Sequence, residues 1–228
     1  MKLLALESSC ERASVALFVD GEVHMRRLEG HANHSEHVLA AVRGLLAEAE
    51  SSVRALDAVA FGAGPGAFTG LRLACGVAQG LALGAGLGVI PVCTLAALAL
   101  QAPDGDTLAM TDARMGELYH ARYRVADGAV LELTPPACCL PGELVCPEEG
   151  AWFGIGSAFA AHGAELAAVR AALSGCDPDA VPTAAAVAKL AAGQAAAGIV
   201  PPEWAVPLYV RNKVALTTAE RLARGNKA

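Results

Sequence analysis

The chain has few charged residues, few aromatic side chains and no C-x-x-C cysteine pair, and each shortage argues against a class of protein. Of 228 residues, 18% are charged and 4% aromatic, and the formal net charge is -6. A protein that binds nucleic acid along its whole chain is disfavoured, because phosphate binding needs clustered Lys and Arg. The seven cysteines include no C-x-x-C pair. We therefore expect reduced thiols in a cytoplasmic protein, without a disulfide framework or zinc knuckle.

No membrane segment is expected, although residues 73–103 contain no Asp, Glu, Lys or Arg. Roughly 20 apolar residues can span a bilayer, but five glycines and Pro91 interrupt this stretch. A buried helix, a strand and a second helix are the better interpretation. The apolar run after Met1 is too short for a signal peptide, which also favours a cytoplasmic location.

The first half of the chain shows the pattern of three antiparallel strands followed by alternating helices and strands. Asp20-Gly21 is a hairpin turn signal between the second and third strands. The predicted strands are residues 2–7, 13–19, 22–28, 56–61 and 89–92, and the predicted helices are residues 34–49, 69–83 and 95–101. This order, βββαβαβα, is the layout of an actin-like half domain, which by itself implies no function.

The second half opens in the same way, with strands predicted at residues 107–112, 117–125 and 129–133. Further predictions are a loop-rich segment 135–150, a strand 152–155, a helix 158–169 and an Ala-rich helix capped by Thr183. The repeated meander indicates an α/β, actin-like fold of two subdomains. We place them at residues 1–103 and 104–228, with the break near residues 103–106.

A glycine loop, Gly62-Ala63-Gly64-Pro65-Gly66, lies between a predicted strand and a predicted helix. Backbone N–H groups at such a place can bind an anion. The loop is not a Walker A motif, because no Gly-Lys-Ser/Thr ends it, and Pro65 removes one N–H group. The alternative, which we favour slightly, is a tight strand-to-helix turn with Thr69 as the helix cap.

Two carboxylates end corresponding strands of the two halves, Glu7 in the first and Asp112 in the second. In actin-like ATPases, Asp residues at such strand ends work with metal and phosphate. Glu7 is one methylene longer, and no glycine follows it to admit phosphate to the backbone. We therefore predict a degenerate nucleotide site, with no catalytic residue and no cofactor. Its candidate residues are Glu7, Ser8, Ser9, Asp112, Arg114 and Gly116.

Three histidines, His31, His34 and His37, recur at intervals of three residues. Residues three apart share a helix face, but two histidines rarely hold a metal and the neighbouring sequence signals no further ligand. We expect a solvated helix start and no bound metal.

Glycines also recur at intervals of four, at Gly76, Gly80 and Gly84, and so line one face of a predicted helix. Such a stripe lets another helix approach closely. Two interpretations stay open. The stripe packs against the chain's own sheet, or it contacts a helix of a partner.

Four segments resemble the TsaB (YeaZ) family and occur in the family's order: residues 4–9 (LALESS), 62–72 (GAGPGAFTGLR), 112–119 (DARMGELY) and 207–212 (PLYVRN). The resemblance implies an actin-like fold of two subdomains. It also implies a non-catalytic subunit of the machinery that transfers threonylcarbamoyl to tRNA adenosine. The alternative comes from a different functional class, that of enzymes. It is a free-standing actin-like phosphotransferase or a metallopeptidase of the glycoprotease type.

The resemblance also implies partners. TsaD would hold the metal and carry out the transfer, the ATPase TsaE would be the third component, and tRNA would be met only through the complex. A homodimer could form without TsaD. TsaD has a His-x-x-x-His metal motif on the corresponding helix, whereas this chain has His34-x-x-His37, which fits a lost metal site.

The partner surface implied by the resemblance lies on the predicted helices 34–49 and 69–83. Val38, Val42, Leu45 and Leu46 are expected to face the chain's own sheet. The expected interface residues are His34, His37, Ala40, Ala41, Thr69, Arg72, Leu73, Ala74, Val77, Ala78, Gly80 and Leu81.

Overall fold

Two five-stranded sheets organise the chain, which a computed structural model describes over residues 1–28, 34–146 and 150–211. The strands of the first sheet are β1 (Lys2–Glu7), β2 (Ser14–Val19), β3 (Glu22–Arg27), β4 (Ala58–Gly64) and β5 (Gly88–Cys93). They lie in the order β3-β2-β1-β4-β5. The first three form an antiparallel meander, and β4 and β5 run parallel to β1.

The second sheet repeats this topology. Its strands are β6 (Gly105–Arg114), β7 (Glu117–Ala126), β8 (Ala129–Cys139), β9 (Trp152–Ile155) and β10 (Gly175–Asp177). Their order, β8-β7-β6-β9-β10, is again an antiparallel meander followed by two parallel strands. The meander predicted for residues 107–133 is therefore confirmed.

Helices cover both sheets and fill the space between them. They are α1 (His34–Glu48), α2 (Phe68–Ala85), α3 (Thr94–Ala99), α4 (Ala158–Ala161), α5 (Ala167–Ala171) and α6 (Ala184–Gly198). The outer face of the first sheet carries α1 and α2, and α3 and α6 lie between the two sheets. The outer face of the second sheet carries α4 and α5.

The sequence of β1 shows why both faces of the first sheet are buried. Side chains alternate across a strand, so that Leu4 and Leu6 point to α1 and α2, whereas Leu3 and Ala5 point to α6. The contact between the sheet and α6 is built largely of alanines, namely Ala5, Ala16, Ala58 and Ala60 of the sheet and Ala184, Ala188 and Ala191 of the helix. The Ala-rich composition thus lets a helix pack closely on the sheet.

The chain returns to the first sheet at its end. Helix α6 packs on β1, β2, β4 and β5, and Val200 pairs with Val89 at the sheet edge. The predicted boundary between residues 103 and 104 remains a prediction. Helix α6, which that prediction placed with the second subdomain, packs on the sheet of the first.

Two predicted elements differ from the structure. Strand β8 continues to Cys139 where a loop was predicted from Pro135. The two prolines are tolerated because β8 is an edge strand, whose outer N–H groups need no ladder partner, and because its register with β7 shifts between Thr134 and Ala137. The single helix predicted over residues 158–169 is instead the two short helices α4 and α5, with Gly163 between them.

Helix α2 is long and apolar enough to cross a membrane by length and composition. This is weak evidence, because the core helix of a soluble protein passes the same test. One face of α2, formed by Leu71, Ala74, Ala78 and Ala82, is buried against the first sheet.

The predicted cap of α6 is confirmed and gives a test of the fold. The Thr183 hydroxyl accepts a hydrogen bond from the Ala186 N–H at 3.3 Å. Loss of an N-cap hydroxyl typically lowers the free energy of unfolding by about 1 kcal/mol. We expect this loss for Thr183→Ala, measured by urea denaturation. Thr183→Ser should retain most of the stability, and an equal loss in both variants would refute the capping role.

Candidate functional site

The carboxyl ends of β1 and β6 open into a cleft of about 660 Å³ between the two subdomains. One wall comes from Ser9 to Arg12 and from the start of α2, and the other comes from the end of β6 and from Ser157. Of the residues predicted for a degenerate nucleotide site, Ser9, Asp112 and Arg114 line this cleft.

The glycine loop packs directly against the backbone that follows β1. The Ser8 hydroxyl donates to the Gly70 carbonyl at 2.7 Å, and the Ala67 N–H donates to the Ser9 carbonyl at 2.7 Å. A Cβ atom at Gly70 would overlap the Ser8 carbonyl oxygen, and one at Gly66 would overlap Ser9. These glycines therefore allow two backbone segments to touch.

Two backbone N–H groups of the glycine loop and the residue after it donate hydrogen bonds to other groups of the protein. Besides the Ala67 N–H, the Gly64 N–H donates to the Thr94 hydroxyl at 3.0 Å. This favours a structural turn, the interpretation preferred from the sequence. The cap proposed with it was wrong, because α2 begins at Phe68 after Ala67, and Thr69 is an exposed residue of its first turn.

Glu7 is sealed behind the glycine loop and does not line the cleft. Its Oε1 atom accepts a hydrogen bond from the Ser9 N–H at 2.7 Å, whereas Oε2 has no partner among the described residues. Burial raises the pKa of the Glu7 carboxyl, against the opposing effect of hydrogen bonds from Ser9 and Thr94. Glu7, a candidate residue of the predicted degenerate nucleotide site, is therefore buried away from the cleft.

Asp112 makes its interactions within the protein. Its Oδ1 atom accepts from the Arg114 N–H at 2.9 Å and lies 3.4 Å from His162 Nε2, and its Oδ2 atom lies 3.3 Å from Arg114 Nη1. Arg114 also forms an ion pair with Glu11 across the cleft. The charges of the cleft are therefore largely paired with one another.

The turn between β6 and β7 is built from left-handed residues. Arg114, Met115 and Gly116 have φ angles of 61°, 59° and 78°. Gly116 lies outside the cleft lining, and its left-handed backbone gives it a role in this turn. Ser8 is likewise not part of the lining and serves the contact with Gly70.

The part of the chain that the structure describes forms no recognisable metal site. Over residues 1–28, 34–146 and 150–211, the structure holds no cluster of three or more His, Cys, Asp or Glu side chains that could bind a metal. His31 lies outside the described residues, as does the side chain of His34, and His37 is exposed on α1. The absence of a metal at these histidines stays a prediction.

The segment of residues 205–211, here called the strap, contributes residues whose role the sequence did not reveal. Arg211 Nη2 donates to the carbonyls of Ala113 and Arg114 at 2.9 and 3.2 Å and pairs with Glu117 at 2.5 Å. Tyr209 accepts a hydrogen bond from Arg72 at 3.1 Å. The only sequence signal was the family-like block 207–212. The basic residues Lys213, Arg221, Arg224 and Lys227 lie outside the described residues.

The glycine stripe of α2 points away from the sheet. A Cβ atom at Gly76, Gly80 or Gly84 would meet nothing within 4 Å. Packing of this stripe against the chain's own sheet is therefore wrong, and we call these three glycines the glycine face. A shallow groove runs along it, lined by Leu39, Arg72, Leu73, Gly76, Val77, Gly80 and Leu81.

Two residues predicted for the partner surface are in the core instead. Ala74 and Ala78 are 1% and 0% exposed, because they face the first sheet. Leu39, which is 48% exposed and lines the groove, was not among the candidates. The remaining candidates that the structure describes are exposed or half-buried, namely His37, Ala40, Ala41, Thr69, Arg72, Leu73, Val77, Gly80 and Leu81. Val38, Val42, Leu45 and Leu46 are buried, as predicted.

The buried Glu7 gives a test of the site. Because its pKa is raised in the folded state, its contribution to stability is present below the ordinary pKa of glutamate and is lost as the pH rises through the folded-state pKa. Glu7→Gln should therefore gain stability relative to the wild type as the pH rises above 4.5, the ordinary pKa of the group, measured by urea denaturation at a series of pH values.

The control for that experiment is Glu11→Gln, which removes an exposed carboxylate from the same segment. Its effect should be small, because exposed ion pairs contribute little. A Glu7→Gln difference that does not change with pH would contradict the raised pKa of the buried Glu7 carboxyl.

Known proteins resemble this chain over nearly its whole length. A family model described as "TsaD: tRNA N6-adenosine threonylcarbamoyltransferase" matches residues 29–223. The tRNA threonylcarbamoyladenosine biosynthesis protein TsaB of Escherichia coli K12 is 34% identical over 94% of this chain and 96% of its own length. The Haemophilus influenzae protein of the same name is 42% identical over 54% of this chain and 53% of its own.

Solved structures agree in fold. YeaZ from Pseudomonas aeruginosa superposes with a TM-score of 0.82 at 34% identity, covering 91% of this chain and 99% of its own. A second structure, described as a protein with similarity to peptidase YeaZ from Pseudomonas aeruginosa, gives a TM-score of 0.83 at 33% identity, covering 92% and 99%. The predicted α/β, actin-like fold of two subdomains is confirmed, and the chain belongs to the TsaB (YeaZ) family of tRNA threonylcarbamoyladenosine biosynthesis.

Proposed function

We propose that this chain is the non-catalytic partner subunit of the complex that transfers threonylcarbamoyl to tRNA adenosine. It would bind TsaD, with the ATPase TsaE as the third component, and would meet tRNA through the complex. The observation that carries the proposal is the outward glycine face of α2. Membership of the TsaB family supplies the process to which the complex belongs.

The glycine face suits contact with a helix of another chain. Without side chains at Gly76 and Gly80, a partner helix can approach α2 to roughly 8 Å and pack by van der Waals contact. Aliphatic groups line the groove beside these glycines, including the exposed Leu39 of α1. When TsaD is absent, the same face would join two copies of this chain.

The charged groups in and near the cleft favour a non-catalytic role for this chain. Asp112 is paired with Arg114, and Arg114 with Glu11. Glu7, the other carboxylate of the predicted nucleotide site, is buried behind the glycine loop. Because Asp112 and Arg114 are paired and Glu7 is buried, these groups are poorly placed to activate a substrate.

Gly80→Arg tests the proposed surface. The substitution should leave the fold intact, because a side chain at Gly80 meets open space and Arg is a better helix former than glycine. In the complex it would bury an unpaired charge, which costs several kcal/mol. We expect the Kd for TsaD to rise at least tenfold, measured by titration and by co-elution in size-exclusion chromatography.

The matched control is Gly193→Arg on α6. Gly193 is also an exposed helical glycine whose Cβ position is open, and it lies away from the glycine face. This variant should bind TsaD like the wild type, and circular dichroism should show that both variants are folded. If Gly80→Arg and Gly193→Arg bind TsaD equally well, the assigned surface is wrong.

A further inference from the structure

Tyr209 attaches the strap to the outer side of α2. The Tyr209 hydroxyl accepts a hydrogen bond from Arg72 Nε at 3.1 Å, and the Tyr209 ring lies 5.8 Å from the Phe68 ring. The Arg72 guanidinium lies 3.8 Å above the Phe68 ring. All three side chains are partly exposed, and Arg72 also lines the groove of the glycine face. Tyr209 is therefore close to any partner that binds the outer side of α2.

Two residues later, Arg211 holds the turn between β6 and β7. The Arg211 side chain is 13% exposed and donates to the carbonyls of Ala113 and Arg114, at the start of the turn. Arg114 and Met115 adopt left-handed backbone angles without being glycine. Such conformations persist only where the surroundings hold them in place. Arg211 supplies part of that support.

Apart from these side-chain contacts, the strap has little structure of its own. It contains no helix or strand, and within the described chain the one backbone–backbone hydrogen bond from residues 206–211 joins the Leu208 N–H to the Ala63 carbonyl at 2.7 Å. Segments with few backbone hydrogen bonds open locally at low free-energy cost. Ala205 is buried and its carbonyl accepts hydrogen bonds from Gln79 and Cys75, whereas residues 206–211 depend largely on the side chains of Tyr209 and Arg211 to stay docked.

We propose that the strap couples the partner surface on α2 to the turn between β6 and β7. The inference rests on the proposed function, because the ligand of α2 is the partner subunit. A partner that covers Phe68 and Arg72 removes water from the contacts with Tyr209, which strengthens them. The docked strap then keeps Arg211 on the turn, and the turn keeps Arg114 in its ion pair with Glu11 across the cleft. By reciprocity, release of the strap weakens partner binding.

Hydrogen exchange of the backbone amides of residues 113–119 tests the coupling in the full-length chain, free and bound to TsaD. In the wild type, we expect TsaD to slow this exchange about fivefold or more, a typical coupling factor. In Tyr209→Ala, the slowing should fall below about twofold, and the Kd for TsaD should rise by the coupling factor that is lost. Tyr209→Phe, which keeps the ring but not the hydroxyl, should be intermediate. Amides of α6 serve as the control and should not respond.

A second arm uses the free chain. Arg211→Lys keeps the charge but loses the planar fork that reaches two carbonyls. Exchange at residues 113–119 should become about threefold faster or more, whereas α6 should be unchanged. Unchanged exchange at the turn would overturn the role given to Arg211.

The outcomes separate this inference from the proposed function. If TsaD binds but exchange at residues 113–119 does not change, the coupling is overturned and the proposed function stands. If Tyr209→Ala keeps the full slowing, TsaD acts on the turn by another route and the coupling through the strap is overturned. If TsaD does not bind the wild-type chain at all, both proposals are overturned.

Discussion

The contact between the glycine loop and the backbone after β1 is the constraint on which the rest of the site depends. Two peptide backbones can touch there only because Gly66 and Gly70 carry no side chain. The contact fixes the start of α2 against Ser8 and Ser9 through hydrogen bonds in both directions. It thereby sets which face of α2 lies on the sheet and which face points outward.

The same contact separates this chain from proteins that use a glycine loop to bind phosphate. In those proteins the backbone N–H groups point to the ligand. Here the N–H groups of Gly64 and Ala67 donate to groups of the chain itself, and Leu208 of the strap donates to the Ala63 carbonyl. A motif with the composition of an anion site thus serves as a packing junction between β1, α2 and the strap.

Much of the fold could be predicted because its signals are local. The hairpin at Asp20-Gly21 has left-handed φ angles of 50° and 99°, the conformation that this dipeptide favours. The alternating and helical apolar patterns likewise located the strands and most helices to within a few residues. The continuation of β8 through Pro135 was missed because it depends on β8 being an edge strand, which is a property of the whole sheet.

The site was less predictable because it depends on which side of an element faces inward. Helix α2 is apolar or small around most of its circumference, so the sequence did not distinguish the buried Ala74 and Ala78 from the outward glycine face. The burial of Glu7 depends on the position of Gly62, more than 50 residues later in the chain. Arg211 acts on carbonyls almost 100 residues earlier, and no local pattern signals such a contact.

The central claim, that Gly70 is needed for backbone contact whereas the glycine face is open, is tested most directly by comparing Gly70→Ala with Gly76→Ala. Both substitutions add one methyl group to the same helix. Denaturant unfolding should show that Gly70→Ala loses roughly 1–3 kcal/mol or more, because the methyl group overlaps the Ser8 backbone. Gly76→Ala should gain about 0.5–1 kcal/mol from helix propensity. A Gly70→Ala variant as stable as Gly76→Ala would contradict the claim.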